Sequence, residues 1–361
     1  MVYIIGLTIA CFLILLLFYK KEKQVADYLL VAWMVTMIVH LGLSYMQYTG
    51  AAYQYPHLLG LTLPLPLLHG LFLYAYASEQ TGTPILKSKA FFLHLLPFLF
   101  LVVLGTPFYS LPAYRKIEVF QNEGQGFEWY TLIQRSLISL SGLAYTAATL
   151  LKIKKYRKNL LNYFSNTEKK KLEWIAWSAT GLAVIWVMAA FFDDPVIFGG
   201  VALFVLFIGV SGIHQAPVFY SDMAFEPVER AGLLSEPEKY ARAGLENEEL
   251  RKIMSRLETL MQKEKPYTNS ELTLKELASM LPCSPNHLSQ AINSGYEKTF
   301  YHYINSYRIR EFLEMIARPE NKKFTFLALA YDAGFNSKTT FNKYFKLETG
   351  KTPSEYFEAF G

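Results

Sequence analysis

Two short stretches near the end of the chain carry polar side chains at a spacing suited to reading another polymer. In Pro285–Ser294, the residues Asn286, His287, Ser289, Gln290 and Asn293 fall on one side of a helical repeat, and Leu288 and Ile292 fall on the other. In Ser337–Leu347 the outward set is Lys338, Thr339, Asn342, Lys343 and Lys346. Residues three and four apart share a helix face, so each stretch presents one polar surface. Asn and Gln carry a donor and an acceptor side by side, the pair that matches an adenine edge in the DNA major groove. The expected base readers are therefore Asn286, His287, Gln290 and Asn293 in the first stretch, with Lys338, Thr339 and Asn342 in the second. Lys343, Lys346 and Arg308 are the charges suited to phosphate oxygens.

The elements that would hold these faces repeat. Thr273 and Glu276 form a T-x-x-E capping box, and Leu274, Leu277, Ala278 and Leu281 then recur at helical spacing. Leu281-Pro282-Cys283 breaks that helix, and Ser284 with Pro285 restarts the next as N-cap and first-turn proline. The device recurs from Thr325 to Leu347: an apolar helix Phe326–Ala333, a turn at Gly334, and Ser337 capping the second helix. Between the copies Phe300–Ala317 reads as one long helix, apolar at Phe300, Ile304, Tyr307, Phe312, Leu313 and Ile316. A helix-turn-helix lays its second helix in the major groove, and two joined by one helix would address successive groove segments.

At these residues the pattern resembles the double helix-turn-helix DNA-binding domain of the AraC family. The matching positions are Leu272-Thr273-x-x-Glu276-Leu277-Ala278, Leu288-Ser289, Asn305-x-Tyr307-Arg308 and Ala330-Tyr331-Asp332-Ala333-Gly334-Phe335-Asn336-Ser337. They continue with Phe341-Asn342-x-x-Phe345-Lys346 and Gly350-Lys351-Thr352-Pro353-Ser354-Glu355-Tyr356. The resemblance covers the last quarter of the chain and implies that fold and binding to double-stranded DNA. Charge is a departure: from Pro266 onward bases and acids nearly balance, and the first recognition helix lacks the basic residues many AraC-like proteins carry there. Phosphate attraction dominates non-specific affinity, so modest, salt-sensitive binding is expected. The competing reading is a solvated polar face on a bundle that recruits protein.

The rest of the chain is of another kind. The 361 residues suggest two or three domains, and their net charge is only +5. Seven apolar runs occupy the first part: Val2–Tyr19, Ala26–Tyr48, Leu58–Ala77, Ala90–Leu104, Phe127–Leu151, Leu172–Phe192 and Pro195–His214. Most reach the length of roughly 20 residues that crosses a bilayer, and the first lacks the flanks of a removed signal. Lys20, Lys21 and Lys23 follow the first run, Lys87 and Lys89 the third, and a cluster within Lys152–Lys171 the fifth. The alternate loops are poor in base. The positive-inside rule then sets the amino terminus outside and the carboxy-terminal domain in the cytoplasm. That places it beside DNA in a bacterial cytoplasmic membrane. The basic loop itself suits topology and anionic headgroups better than direct DNA contact.

Chemistry within the apolar half is thin. HExxH, GxSxG, a phosphate-cradling glycine loop and kinase signatures are all missing from the sequence, so neither an enzyme nor any metal or organic cofactor is expected. The two cysteines, Cys11 and Cys283, fall in different compartments by this topology and are not expected to pair. Polar residues at membrane depth mark a ligand site: His40, Gln47, Arg135, Asp193 and Asp194 would form an outward pocket if they converge. Each also has an ordinary role, Arg135 snorkelling to the interface and His40 satisfying a neighbouring carbonyl. Residues 215–265 join the halves, with a charged, proline-containing tether and then an amphipathic helix over 248–261. That helix docks on the domain that follows, or pairs with its twin in a homodimer.

The expected protein is all-α: a seven-transmembrane helix bundle over 1–214, the linker 215–265, and a soluble AraC-type domain with two helix-turn-helix units over 266–361. Its function would be that of a membrane-anchored regulator of transcription. Its partners would be double-stranded DNA, the lipid bilayer and a small-molecule or membrane signal. The alternative is a membrane receptor or transporter whose cytoplasmic domain recruits a protein.

Overall fold

Helix-forming periodicity runs through nearly the whole sequence, and helices are what form. The computed structural model describes residues 1–21, 23–192, 194–214 and 247–358. These fall into two compact units, one drawn from Met1–Lys154 with Leu172–Arg230, the other from Lys155–Lys171 with Ala231–Gly361. Among the described residues the only β-pairing is an isolated antiparallel bridge between Phe164 and Thr273.

The first unit contains α1 (Val2–Tyr19), α2 (Val25–Tyr48), α3 (Pro66–Gln80), α4 (Leu96–Leu104), α5 (Thr106–Tyr109) and α6 (Ala113–Gln121). It also holds most of α7 (Glu128–Leu160), then α8 (Glu173–Phe191) and α9 (Asp194–His214). Lys20 closes the α1–α2 turn on Asp27 at 2.7 Å, and Asp27 also accepts the Gln24 backbone N–H of its own capping box. α1 packs on α2 and α9, α2 on α3, and α8 on α9. Trp33, Met34, Met37 and Leu41 of α2 are buried with Leu71 and Leu73 of α3 and with Val205 and Ile208 of α9. Their outer faces are apolar as well: Ile4, Phe12, Leu15 and Phe18 of α1 and Leu132, Leu140 and Leu151 of α7 are exposed.

The count of seven continuous spans is not reproduced. Among the described residues three helices, α1, α2 and α7, are long and apolar enough to cross a membrane by length and composition; the fully described apolar parts of the others, Lys89–Leu104, Glu173–Ala189 of α8 and Val196–Ile208 of α9, are shorter. Proline is one reason. The run Leu58–Ala77 opens in 3₁₀ and turn conformations and becomes helical only from Pro66, which serves as a first-turn proline. The run Ala90–Leu104 splits likewise into a 3₁₀ segment Lys89–Leu95 and the nine-residue α4, with Pro97 in its first turn.

The second unit is built from α10 (Asn247–Lys263), α11 (Leu274–Ser279), α12 (Pro285–Tyr296), α13 (Phe300–Ile316), α14 (Phe326–Asp332), α15 (Lys338–Thr349) and α16 (Pro353–Glu358). Its core has two lobes. One gathers Leu257 and Met261 of α10, Leu277 of α11, and Leu288 and Ile292 of α12, against Phe300, Tyr303 and Ile304 of α13. The other gathers Ile309 and Phe312 of α13 with Leu329, Ala330, Phe341, Tyr344 and Phe345. Hence α13 is apolar on more than one side, and each helix-turn-helix unit is fixed by the same helix. The apolar stripe of α10 packs on this core, with Ile253, Leu257 and Met261 buried and Leu250, Met254 and Leu260 partly buried against it. Residues 215–246 of the linker lie outside the described residues.

Local caps explain where these helices start. Thr273 and Glu276 form the reciprocal box, and the side chains of Ser284, Thr299, Thr325 and Ser337 each accept the backbone N–H three residues on. The α14–α15 turn needs its glycine: Gly334 has φ +102°, and a Cβ there would run into the Tyr267 carbonyl oxygen and come within 2.9 Å of Arg308 Nε. We predict that Gly334→Ala costs about 2 kcal/mol or more, read as a loss of hydrogen-exchange protection in α13 and α15. Unchanged protection would contradict the close approach.

Glu311 offers a test through pH. Burial alone would raise its pKa, but hydrogen bonds from Lys265 (2.6 Å) and Tyr267 (2.8 Å), with the lysine charge, hold it below the ordinary value of 4.5. A carboxylate lowered on folding stabilises above its unfolded pKa, and that stabilisation is lost as pH falls through the folded value. Glu311→Gln should cost about 1–3 kcal/mol at neutral pH and flatten the acid limb of the α13 exchange profile. A variant with the wild-type acid limb would remove Glu311 from the account.

Candidate nucleic-acid interface

The second helix of each helix-turn-helix unit carries the predicted readers. On α12, Leu288, Ala291 and Ile292 are buried, which turns Asn286 fully outward and leaves His287, Gln290 and Asn293 half-buried beside it. Asn293 is partly engaged, donating from Nδ2 to Ser289 Oγ at 3.3 Å. On α15, Phe341, Tyr344 and Phe345 are buried, and Lys338, Thr339, Asn342, Lys343 and Lys346 are all exposed. Both helices are capped by serine, Ser284 accepting from His287 N–H and Ser337 from Thr340 N–H. Beyond the capped amide, the first-turn N–H groups of each helix are the donors that phosphate or base edges use at a helix N-terminus.

Arg308 belongs elsewhere. It was expected at a phosphate, but it is 2% exposed, one of the largest fully buried side chains. Its Nε donates to Tyr267 O at 2.7 Å, and one terminal nitrogen to Ser165 O and Asn305 Oδ1, each at 3.2 Å. The other donates to Asn269 O at 2.8 Å and Ser165 Oγ at 3.1 Å. Burial lowers its pKa to about 10, so the guanidinium stays charged at neutral pH. It binds the core, and no phosphate can reach it. Helical spacing alone could not distinguish an inward from an outward arginine here, because α13 has no single wet face.

Three further groups matter that the motif reading passed over: Asn166, Glu168 and Glu271. Glu168 accepts from Ser337 Oγ and, at 2.9 Å, from Thr340 Oγ1, so a carboxylate rests on the start of α15. Glu271 accepts from Asn166 Nδ2 at 2.5 Å and Asn336 Nδ2 at 3.4 Å, and pairs with Lys170 at 3.4 Å. The one available signal was the polar, uncharged run Asn162-Tyr163-Phe164-Ser165-Asn166-Thr167 interrupting a basic loop.

The first unit contains a cavity of about 1300 Å³. His40, Gln47 and Arg135 line it together, along with His69, Thr62 and Trp186. His40 Nδ1 lies 3.0 Å from His69 Nε2, His69 Nδ1 accepts from Trp33 Nε1 at 3.2 Å, and Gln47 bonds Thr62 at 3.2 Å. His40 therefore meets the side chain of His69, not the neighbouring carbonyl of its ordinary role. Asp193 lies outside the described residues, and so does the side chain of Asp194, whose backbone begins α9.

Residues 277–359 match a protein-family model described as a helix-turn-helix domain. No curated protein and no solved structure matches the chain. The family match covers both second helices and supports the AraC-like, DNA-binding part of the resemblance. It does not reach the apolar unit.

The two faces should divide the labour. Asn286→Ala with Gln290→Ala should flatten preference among sequences, each lost bidentate contact removing about 1–3 kcal/mol of discrimination. Lys343→Ala should weaken all duplexes alike and reduce the salt slope by about one. Competition binding across a library of duplexes reads both effects; the same change in both variants would refute the assignment.

Proposed function

We propose that the chain is a membrane-anchored one-component regulator of transcription. Its tail binds double-stranded DNA sequence-specifically through α12 and α15, and a signal received in the apolar unit controls it. The observation that carries the DNA-binding part is the family match over 277–359 on a unit whose two second helices are both serine-capped and polar outward.

Membrane anchoring is supported by the outer faces of α1, α2 and α7. Leu and Phe on α1, Val on α2 and Leu on α7, many exposed at 40–70% over helices of 18 to 33 residues, would be unfavourable in water and favourable in lipid. Sidedness is supported from two directions. The last turns of α7 and the segment after it, Lys152–Lys171, carry the densest cluster of bases. Most of that stretch, Lys155–Lys171, belongs to the compact unit that holds the DNA-binding helices, which favours one side of a bilayer for both. The signal pocket would be the cavity at His40, Gln47 and Arg135, where a small molecule with polar groups meets an otherwise largely apolar wall. Recruitment of a protein is the competing use of the tail, and the near balance of charge there favours it over non-specific DNA binding.

The test is footprinting with the full chain in nanodiscs on a pool of genomic fragments. A regulator protects one or a few defined double-stranded sites, whereas a protein-recruiting tail protects none. In parallel, a green fluorescent protein fused after Gly361 should fluoresce and an alkaline phosphatase fused there should stay inactive. The reverse pattern would remove the tail from the DNA compartment.

A further inference from the structure

The segment linking α7 to α8 is built into the DNA-binding unit. Leu161 O accepts from Tyr301 N–H at 2.9 Å, Tyr163 O from Leu274 N–H at 2.9 Å, and Leu272 O from Ser165 N–H at 3.1 Å. These bonds make Phe164 and Thr273 a bridge, so the segment adds a short extended strand to the start of α11. Its side chains are buried to match: Phe164, Ser165, Asn166 and Thr167 are each at most 7% exposed. Arg308 holds Ser165 through both its carbonyl and its hydroxyl. Leu161 and Tyr163 pack on the two lobes of the core, one on each. A loop needed only to connect two helices or fix topology requires none of these contacts.

The far end of the segment reaches the reading surface. Glu168 caps the beginning of α15 through Ser337 and Thr340, and Glu271 sits beside it on Asn336 and Asn166. In a helix-turn-helix the N-terminal residues of the second helix contact base edges, and its first-turn amides suit phosphate. The segment therefore places a carboxylate where an anionic duplex must come. Lys170 neutralises part of Glu271 at 3.4 Å, while Glu168 is held by the hydroxyls of Ser337 and Thr340.

We infer that residues 161–170 form an intramolecular clamp that competes with double-stranded DNA for the N-terminal end of α15. The clamp is covalently continuous with α7 and α8, so a signal that shifts those helices has a direct means of lifting Glu168 away. The surface formed by Leu272–Leu274, Arg308 and the α15 start thus has a committed occupant, this chain's own segment, and duplex DNA is its rival. Control of this kind requires no rigid push through residues 215–246. The inference rests on the DNA-binding reading given above.

The test uses the full chain in phosphatidylcholine nanodiscs, with Cys11→Ser and Cys283→Ser to remove the native thiols. Phe164→Cys and Thr273→Cys are added, because a non-hydrogen-bonded antiparallel pair has its Cα atoms about 4.5 Å apart, within disulfide range. The probe is a random-sequence duplex of about 40 base pairs at about 50 mM salt, where phosphate attraction is strong. Oxidation should weaken binding at least about tenfold and reductant should restore it, since every like charge held against phosphate opposes association. Glu168→Gln, which keeps the shape and removes the charge, should tighten binding about threefold or more in the unlinked chain. Equal binding by the oxidised and reduced forms would overturn the clamp and leave the DNA reading intact. Absence of binding by every form, Glu168→Gln included, would overturn the DNA reading and the clamp with it.

Discussion

A charged guanidinium sealed from water among neutral acceptors organises the second unit. Arg308 reaches the backbone carbonyls of Tyr267, Asn269 and Ser165, the side-chain oxygen of Asn305 and the hydroxyl of Ser165. An isolated buried charge is expensive, so the position is stable only while all of these acceptors are in place. The planar fork of arginine satisfies several at fixed angles, which a lysine could not do. The constraint joins three stretches far apart in sequence: the turn after α10, the middle of α13 and the loop after α7. Gly334 completes the site from the fourth side, since any side chain there would press on Tyr267 and Arg308.

From that hub the reading surface follows. α13 contributes Phe300 and Ile304 to one lobe and Ile309 and Phe312 to the other, so the two second helices are set by one rigid element. Burying Leu288 and Ile292 on α12, and Phe341 and Phe345 on α15, leaves their amides, hydroxyls and lysines outside. The caps are part of the same logic, because each satisfies one otherwise orphaned N–H and leaves its neighbours free for a ligand. Charge contributes less. With bases and acids nearly matched, discrimination must come from hydrogen bonds more than from phosphate attraction.

Much of this unit was legible in the sequence because its signals are local. A T-x-x-E box, a Ser-Pro start and a glycine turn act within a few residues, and Thr273, Ser284, Ser337 and Gly334 all occupy the roles their neighbours imply. The outward set on α15 was legible for the same reason, being fixed by helical period against one buried stripe, whereas on α12 only Asn286 of the readers is fully exposed and His287, Gln290 and Asn293 are half-buried. Arg308 was misplaced because its environment is made by residues 41 and 143 positions away, which no local pattern encodes. Glu168 was passed over because a single acid in a basic loop looks like solvated surface until the loop is seen to dock. In the apolar half, hydropathy marked where helices lie but could not say how far they run. Pro66 and Pro97 begin helices within runs that composition alone treats as continuous.

On the proposed reading one chain joins two environments: helices whose exposed apolar faces suit lipid, and a tail whose polar faces suit a duplex. The most direct measurement is formaldehyde cross-linking in cells expressing the full chain, with sequencing of the DNA recovered from the membrane fraction through a tag on the protein. The account predicts a few discrete genomic sites, lost in the Asn286→Ala, Gln290→Ala double variant while the protein stays in the membrane. Coverage spread evenly over the genome, or discrete sites unaffected by that variant, would contradict it.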